Sequence, residues 1–112
     1  VRQLTLSTRA VDGHAVVTLG GELDIASADE LRRHLRSARR AHGDHIILDL
    51  ADLEFMDSRG LSVIIGCHKS VGGADGSLGL VAPPPIIRRT LEITGLDRRF
   101  RIFPTIAEAT GH

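Results

Sequence analysis

Asp57-Ser58-Arg59-Gly60 is the stretch of this chain whose residue types can do chemistry: a hydroxyl beside a carboxylate and a guanidinium, then a glycine. It separates two apolar runs, His45 to Leu50 before it and Leu61 to Val71 after it. Polar residues that interrupt such runs mark an exposed joint, here between a strand and a helix. A hydroxyl at a helix N-terminus faces free backbone amides and the positive end of the dipole, so a phosphate added there is tolerated by its own domain. The same phosphate brings about two negative charges to the surface. Modification of Ser58 is expected to leave the fold intact and to spoil an interface built for an uncharged serine. The alternative is structural: Ser58 caps the helix, or Asp57 caps it and Ser58 is its first residue.

Other chemistries find less support. Ser58 stands outside a G-x-S-x-G elbow, and no histidine is placed by sequence to activate it. His14, His34, His42, His45, His68 and His112 show no metal-ligand spacing, and His42 and His45 flank a turn as surface residues. Asp49 follows a strand pattern and Asp52 a turn pattern, a faint likeness to phosphoaspartate enzymes. Gly72 to Gly76 follows a helix and lacks the Lys-Ser/Thr of a phosphate loop, so it reads as a turn. Arg98, Arg99 and Arg101 read as a solvated edge, and Cys67 as inert core within an apolar helix.

The elements that must position Ser58 fit one domain, residues 1–112. With three Phe and no Trp or Tyr, the core must be built from Leu, Ile, Val and Ala. The 14 basic and 14 acidic residues balance, which gives no pull toward nucleic acid or anionic membranes. A single cysteine forms no intrachain disulfide and no cysteine-based zinc site. No apolar run is long enough to cross a bilayer, and the first residues lack a basic-then-apolar signal pattern. A soluble cytoplasmic protein is expected.

Leu4 to Leu6 and Val16 to Leu19 form a hairpin about Asp12-Gly13, and Gly20-Gly21 is expected to break its second strand. Ser27 and Glu30 make a capping box for a first helix, with Ala28, Leu31, Leu35 and Ala38 inward and Gly43 as its stop. His45 to Leu50 reads as a central strand. Leu61, Ile64, Ile65 and His68 share one face of the next helix, and Leu78 to Val81 is a short strand. Pro85 opens a third helix whose inner face is Ile87, Leu91 and Ile93 or Thr94, with Gly95 as its stop. Phe100 to Phe103 is extended, and Thr105 with Glu108 caps a terminal helix. The order β-β-α-β-α-β-α-β-α predicts an α/β fold, a mixed sheet with helices mainly on one face.

Asp57-Ser58-Arg59-Gly60-Leu61 resembles the D-S-[ST]-G-L signature of STAS domains in bacterial anti-sigma factor antagonists. Gly21-Glu22-Leu23-Asp24 resembles the family's G-E-[LI]-D element, and Leu91-Glu92-Ile93-Thr94-Gly95-Leu96 its L-x-x-T-G-L step. The three stand in the right order and the likeness spans essentially the whole chain. The resemblance implies a non-enzymatic antagonist that binds an anti-sigma factor, often a serine kinase, and so frees a sigma factor. It further implies phosphorylation at Ser58 by that kinase, and reversal by a metal-dependent serine/threonine phosphatase. ATP and Mg²⁺ belong to those partners, so the chain itself needs no cofactor. The implied partner surface comprises Asp24, the Ser27 helix start, Asp57, Ser58, Arg59 and Gly60. Arg59 departs from the signature's small hydroxyl residue; it pairs with a phosphate on Ser58, marks a different partner, or is simply solvated. Gly60 either admits a partner backbone or phosphate or packs tightly in the first helical turn. The alternative function is an unmodified STAS scaffold in another regulatory or transport assembly.

Overall fold

Asp12 and Gly13 both take positive φ, 49° and 80°, the backbone that a two-residue turn needs to match strand twist. They fold β1 (Thr5–Val11) antiparallel onto β2 (His14–Leu23), with Val11 opposite His14. The computed structural model describes residues 2–111; His112 lies outside the described residues. Beyond the hairpin come α1 (Ala28–His42), β3 (His45–Met56), α2 (Ser58–Gly73), β4 (Ser77–Val81), α3 (Pro85–Ile93), a 3₁₀ turn (Leu96–Arg98), β5 (Arg101–Phe103) and α4 (Ile106–Ala109). The sheet order is β1-β2-β3-β4-β5, and every pair after the first is parallel. This is the expected order of elements.

Alternation along the strands sorts side chains onto two faces. Val17, Leu19, Ile46, Leu48, Leu78 and Leu80 join Leu31 and Leu35 of α1, Leu61 and Ile64 of α2, and Ile87 and Leu91 of α3 in the main core. On the opposite face a smaller cluster of Val16, Ile47 and Val81 packs beneath Phe103 and Ile106, so α4 alone covers that side. Ile93 is corrected as an inner-face residue: it is 73 % exposed, and Thr94 is exposed as well. The α3 stripe ends at Leu91, because Gly95 at φ 75° turns the chain before another inward position arises.

Two further expectations are corrected. Gly20-Gly21 does not break β2: Gly20 pairs with Thr5 and Asp52, and Gly21 with Leu53. Glycine is needed because a Cβ on Gly21 would lie 2.2 Å from the Gln3 carbonyl oxygen, at a φ of 81°. Likewise β3 continues past Leu50 to Met56, which places Asp52 in a strand rather than a turn. Two register shifts against β2 each give β3 one extra residue, so its core positions advance from Leu50 to Leu53 to Met56.

Cys67 is buried, and desolvation pushes its thiol above the ordinary range despite nearby Arg39; Asp44 pushes the same way. A raised thiol stays protonated in the fold at pH values where the unfolded chain ionises. It therefore lowers stability only as pH rises beyond the ordinary thiol range. Cys67 in the native protein is expected to react with a thiol reagent at neutral pH far more slowly than in urea, measured by intact mass. Gly21→Ala is expected to destabilise the fold by about 2 kcal/mol or more in urea titration, through the clash with Gln3 and the left-handed backbone.

Candidate functional site

Leu23 and Met56 are paired, so parallel β2 and β3 end side by side and release their chains into neighbouring loops. The carboxyl ends of parallel strands are where open α/β sheets place their sites. Here α1 and α2 both begin, and residues 24–27 meet residues 57–60.

Asp57 holds the meeting together. Its Oδ1 accepts from the amides of Arg59 and Gly60, each at 3.0 Å, capping α2. Its Oδ2 accepts from the amide of Ile25 at 3.0 Å, across to the other loop. Its own amide donates to the Leu23 carbonyl at 3.1 Å. Of the two capping arrangements open to the sequence, Asp57 as cap with Ser58 as first helical residue is the one adopted.

Asp24 organises its own loop: Oδ1 accepts from the amides of Ala26 and Ser27 at 3.0 and 3.1 Å. The Ser27 capping box is corrected. Ser27 is the N-cap residue, but its hydroxyl makes no capping bond to the helix. It turns back into the loop, accepting from the Asp24 amide at 3.0 Å and lying 3.1 Å from the Glu22 carbonyl oxygen. The Thr105 cap does form, accepting from the Glu108 amide at 3.1 Å.

Gly60 is buried, and the packing role is the one seen. A Cβ there would lie 2.4 Å from Leu23 Cγ and 3.1 Å from the Leu23 carbonyl oxygen. Ser58 is exposed, and among the described residues its hydroxyl has no hydrogen-bond partner; its carbonyl accepts from Ser62 Oγ at 2.8 Å. Arg59 is exposed too, with a guanidinium unpaired among the described residues. The expectation of free amides around Ser58 is modified, since those of Arg59 and Gly60 are already taken by Asp57.

Ile25 was not singled out by sequence. It is 68 % exposed, and its amide is bonded to the residue preceding Ser58. Its signal is an apolar residue inside a polar loop, between Asp24 and Ser27. The histidines stand apart from the site: His34 bonds Thr8 at 2.6 Å, His45 bonds Ser77 at 2.9 Å, and His68 packs edge-on against Phe100. Among the described residues no group of three His, Cys, Asp or Glu is placed to hold a metal ion, and no helix is long and apolar enough to cross a membrane.

Residues 5–109 match the sequence profile of the STAS domain. This chain belongs to the STAS domain family. The anti-sigma F factor antagonist of Paenibacillus polymyxa is 38 % identical over 93 residues, 82 % of this STAS chain and 77 % of that one. An anti-sigma factor antagonist from Mycobacterium paratuberculosis superposes with a TM-score of 0.85 at 31 % identity, covering 96 % of this chain and 91 % of that one. SpoIIAA of Bacillus has been solved unphosphorylated and phosphorylated. Its two forms match at TM-scores of 0.79 and 0.73 and 26 % identity, over 96 % of this chain and 92 % and 96 % of theirs. The sheet, helices and strand order of this STAS domain are those of the family.

Asp57→Ala is expected to cost about 2 kcal/mol in urea unfolding, the upper end for a lost cap. Amide exchange at Ile25 should accelerate along with that at Arg59 and Gly60. Protection at Ile25 that survives the substitution would contradict the bridge between the loops.

Proposed function

We propose that this STAS domain is an anti-sigma factor antagonist, which binds an anti-sigma factor through the surface around Ser58 and is released from it when Ser58 is phosphorylated. The observation that carries the reading is the Ser58 hydroxyl, exposed and unbonded on the first residue of α2. Both oxygens of the adjacent carboxylate are committed to backbone amides. Asp57 therefore serves as scaffold and not as a base for Ser58, and no imidazole among the described residues is bonded to that hydroxyl. A serine so placed is a passive acceptor, not an activated nucleophile. The relatives that carry the antagonist name support the same reading.

The partner surface in this reading joins Ser58, Arg59 and Ile25, flanked by the Asp24–Ser27 loop. Exposed Ile25 gives it an apolar centre, suited to burial against another protein. A phosphate on Ser58 stays in water in the free domain. In the complex it would have to be buried beside apolar surface without a built partner, which costs several kcal/mol. The kinase, supplying ATP and Mg²⁺, and a serine/threonine phosphatase are the partners proposed to write and erase this mark.

Incubation with a cognate anti-sigma kinase and ATP is expected to add one phosphate, by intact mass, and none to Ser58→Ala. Ser58→Asp is expected to weaken anti-sigma factor binding by at least about tenfold, the effect of one unpaired interfacial charge. Its thermal midpoint should match the parent's, because the exposed Ser58 hydroxyl has no hydrogen bond to lose among the described residues. Equal binding by Ser58→Asp, Ser58→Ala and the parent would end the switch and leave the unmodified scaffold.

A further inference from the structure

β1 forms one edge of the sheet and is paired along one side alone, with β2. The turn between them decides which way its backbone groups point. A two-residue turn closes on a bond from the His14 amide to the Val11 carbonyl, which makes Val11 and His14 a hydrogen-bonded pair. Such pairs alternate along an antiparallel ladder, so Val11, Arg9, Ser7 and Thr5 bond β2. The amides and carbonyls of Leu6, Thr8 and Ala10 therefore point away from the sheet. Among the described residues no hydrogen bond reaches these outward groups.

Proteins blunt such an edge by shortening it, kinking it with a bulge, or placing proline or lysine on it. The opposite edge is blunted, since β5 has three residues and α4 follows it closely. β1 has seven residues, pairs with β2 in unbroken register, and contains neither proline nor lysine. It is exposed or half-buried throughout, and Arg9 is its one charge.

The edge is also complementary to itself. When two copies meet antiparallel about a two-fold axis through Thr8, their strands overlap over the whole length of Thr5–Val11. Thr8 then faces the second copy's Thr8, Leu6 its Ala10, Ser7 its Arg9, and Thr5 its Val11. All three outward positions fall in hydrogen-bonded pairs, each exchanging two backbone bonds. On the α1 side, where Leu6 joins the main core and Thr8 bonds His34, apolar meets apolar and hydroxyl meets hydroxyl. An axis through Arg9 would instead set like charges opposite each other. Two copies carry no net repulsion, because the 14 basic and 14 acidic residues of each balance.

We propose that β1 is a self-association edge, through which two copies of this chain join as a symmetric dimer with one continuous sheet, five strands from each. None of its residues belongs to the surface around Ser58, so the dimer does not depend on the antagonist reading.

Sedimentation of the full chain across the micromolar to millimolar range is expected to show the average mass rising from one chain toward two. Over the same range hydrogen exchange at the Leu6, Thr8 and Ala10 amides should slow severalfold, while the Ser7 and Arg9 amides, already bonded to β2, hold steady. Ala10→Lys sets a charge against the second copy's Leu6 and should abolish the rise in mass. Its thermal midpoint in dilute solution should match the parent's, because Ala10 is exposed. Ala10→Pro removes an outward amide that the fold does not use, a change that edge strands tolerate, and should also leave a folded monomer. A monomer at the highest concentration, a dimer that both variants preserve, or exchange at the three amides that ignores concentration would each overturn the proposal. So would protection of those amides that arises only on adding an anti-sigma factor, which would assign the edge to that partner.

Discussion

The carboxylate of Asp57 is the constraint on which the site rests. One oxygen closes the first turn of α2 and the other holds the Ile25 amide, so two loops separated by more than thirty residues become one surface. This works only because Leu23 and Met56 are in register and because Gly60 has no Cβ to strike Leu23. A side chain at position 60 would strike Leu23 and push α2 away from β2. A bidentate carboxylate on backbone donors is also a charge stabilised in place, near a helix end that favours it. The serine that follows is left with no structural duty.

That division of labour between neighbours has a chemical consequence. In serine hydrolases the base must turn an acceptor toward the hydroxyl proton, with a third group orienting it. Here the adjacent acid faces inward onto amides, and the serine faces solvent. The same geometry that leaves Ser58 without a base from Asp57 makes it replaceable, so the residue can be altered without loosening the helix it begins.

Much of this was legible in the residues, and the misses have a common cause. The Asp12-Gly13 turn, the inward stripes of α1 and α2, Pro85 at the start of α3 and the Gly43 and Gly95 stops all follow from local geometry, which sequence encodes directly. Strand extent was misjudged where long-range pairing overrides local pattern. β2 passes through Gly20-Gly21 because Thr5 of β1 and the Gln3 backbone before it crowd those positions, and β3 outlasts its period-two pattern because extra residues shift its register. The Ser27 hydroxyl could accept from the helix or from its own loop, and it accepts from the Asp24 amide while donating to the Glu22 carbonyl. At the site, the pairing of residues 24 and 57 was implied by family likeness, whereas the bond that makes it belongs to the Ile25 backbone, which carries no sequence signature.

Magnitudes bear on the proposed switch, in which a phosphate at this joint would act on binding and not on folding. On the free domain the group stays hydrated, where one surface charge more or less contributes about 0–1 kcal/mol. Nothing in the fold is displaced, since the Ser58 hydroxyl has no bond to lose among the described residues. Exposed Ile25 changes the balance once a second protein closes over it. Covering that side chain contributes about 2 kcal/mol to association, but the same closure strips water from the neighbouring dianion, and that loss is several kcal/mol. The penalty exceeds the gain by a margin that a single apolar contact cannot recover. An apolar residue beside an unbonded hydroxyl would thus be sufficient for the proposed phosphate switch, and Asp57 is what keeps the two together.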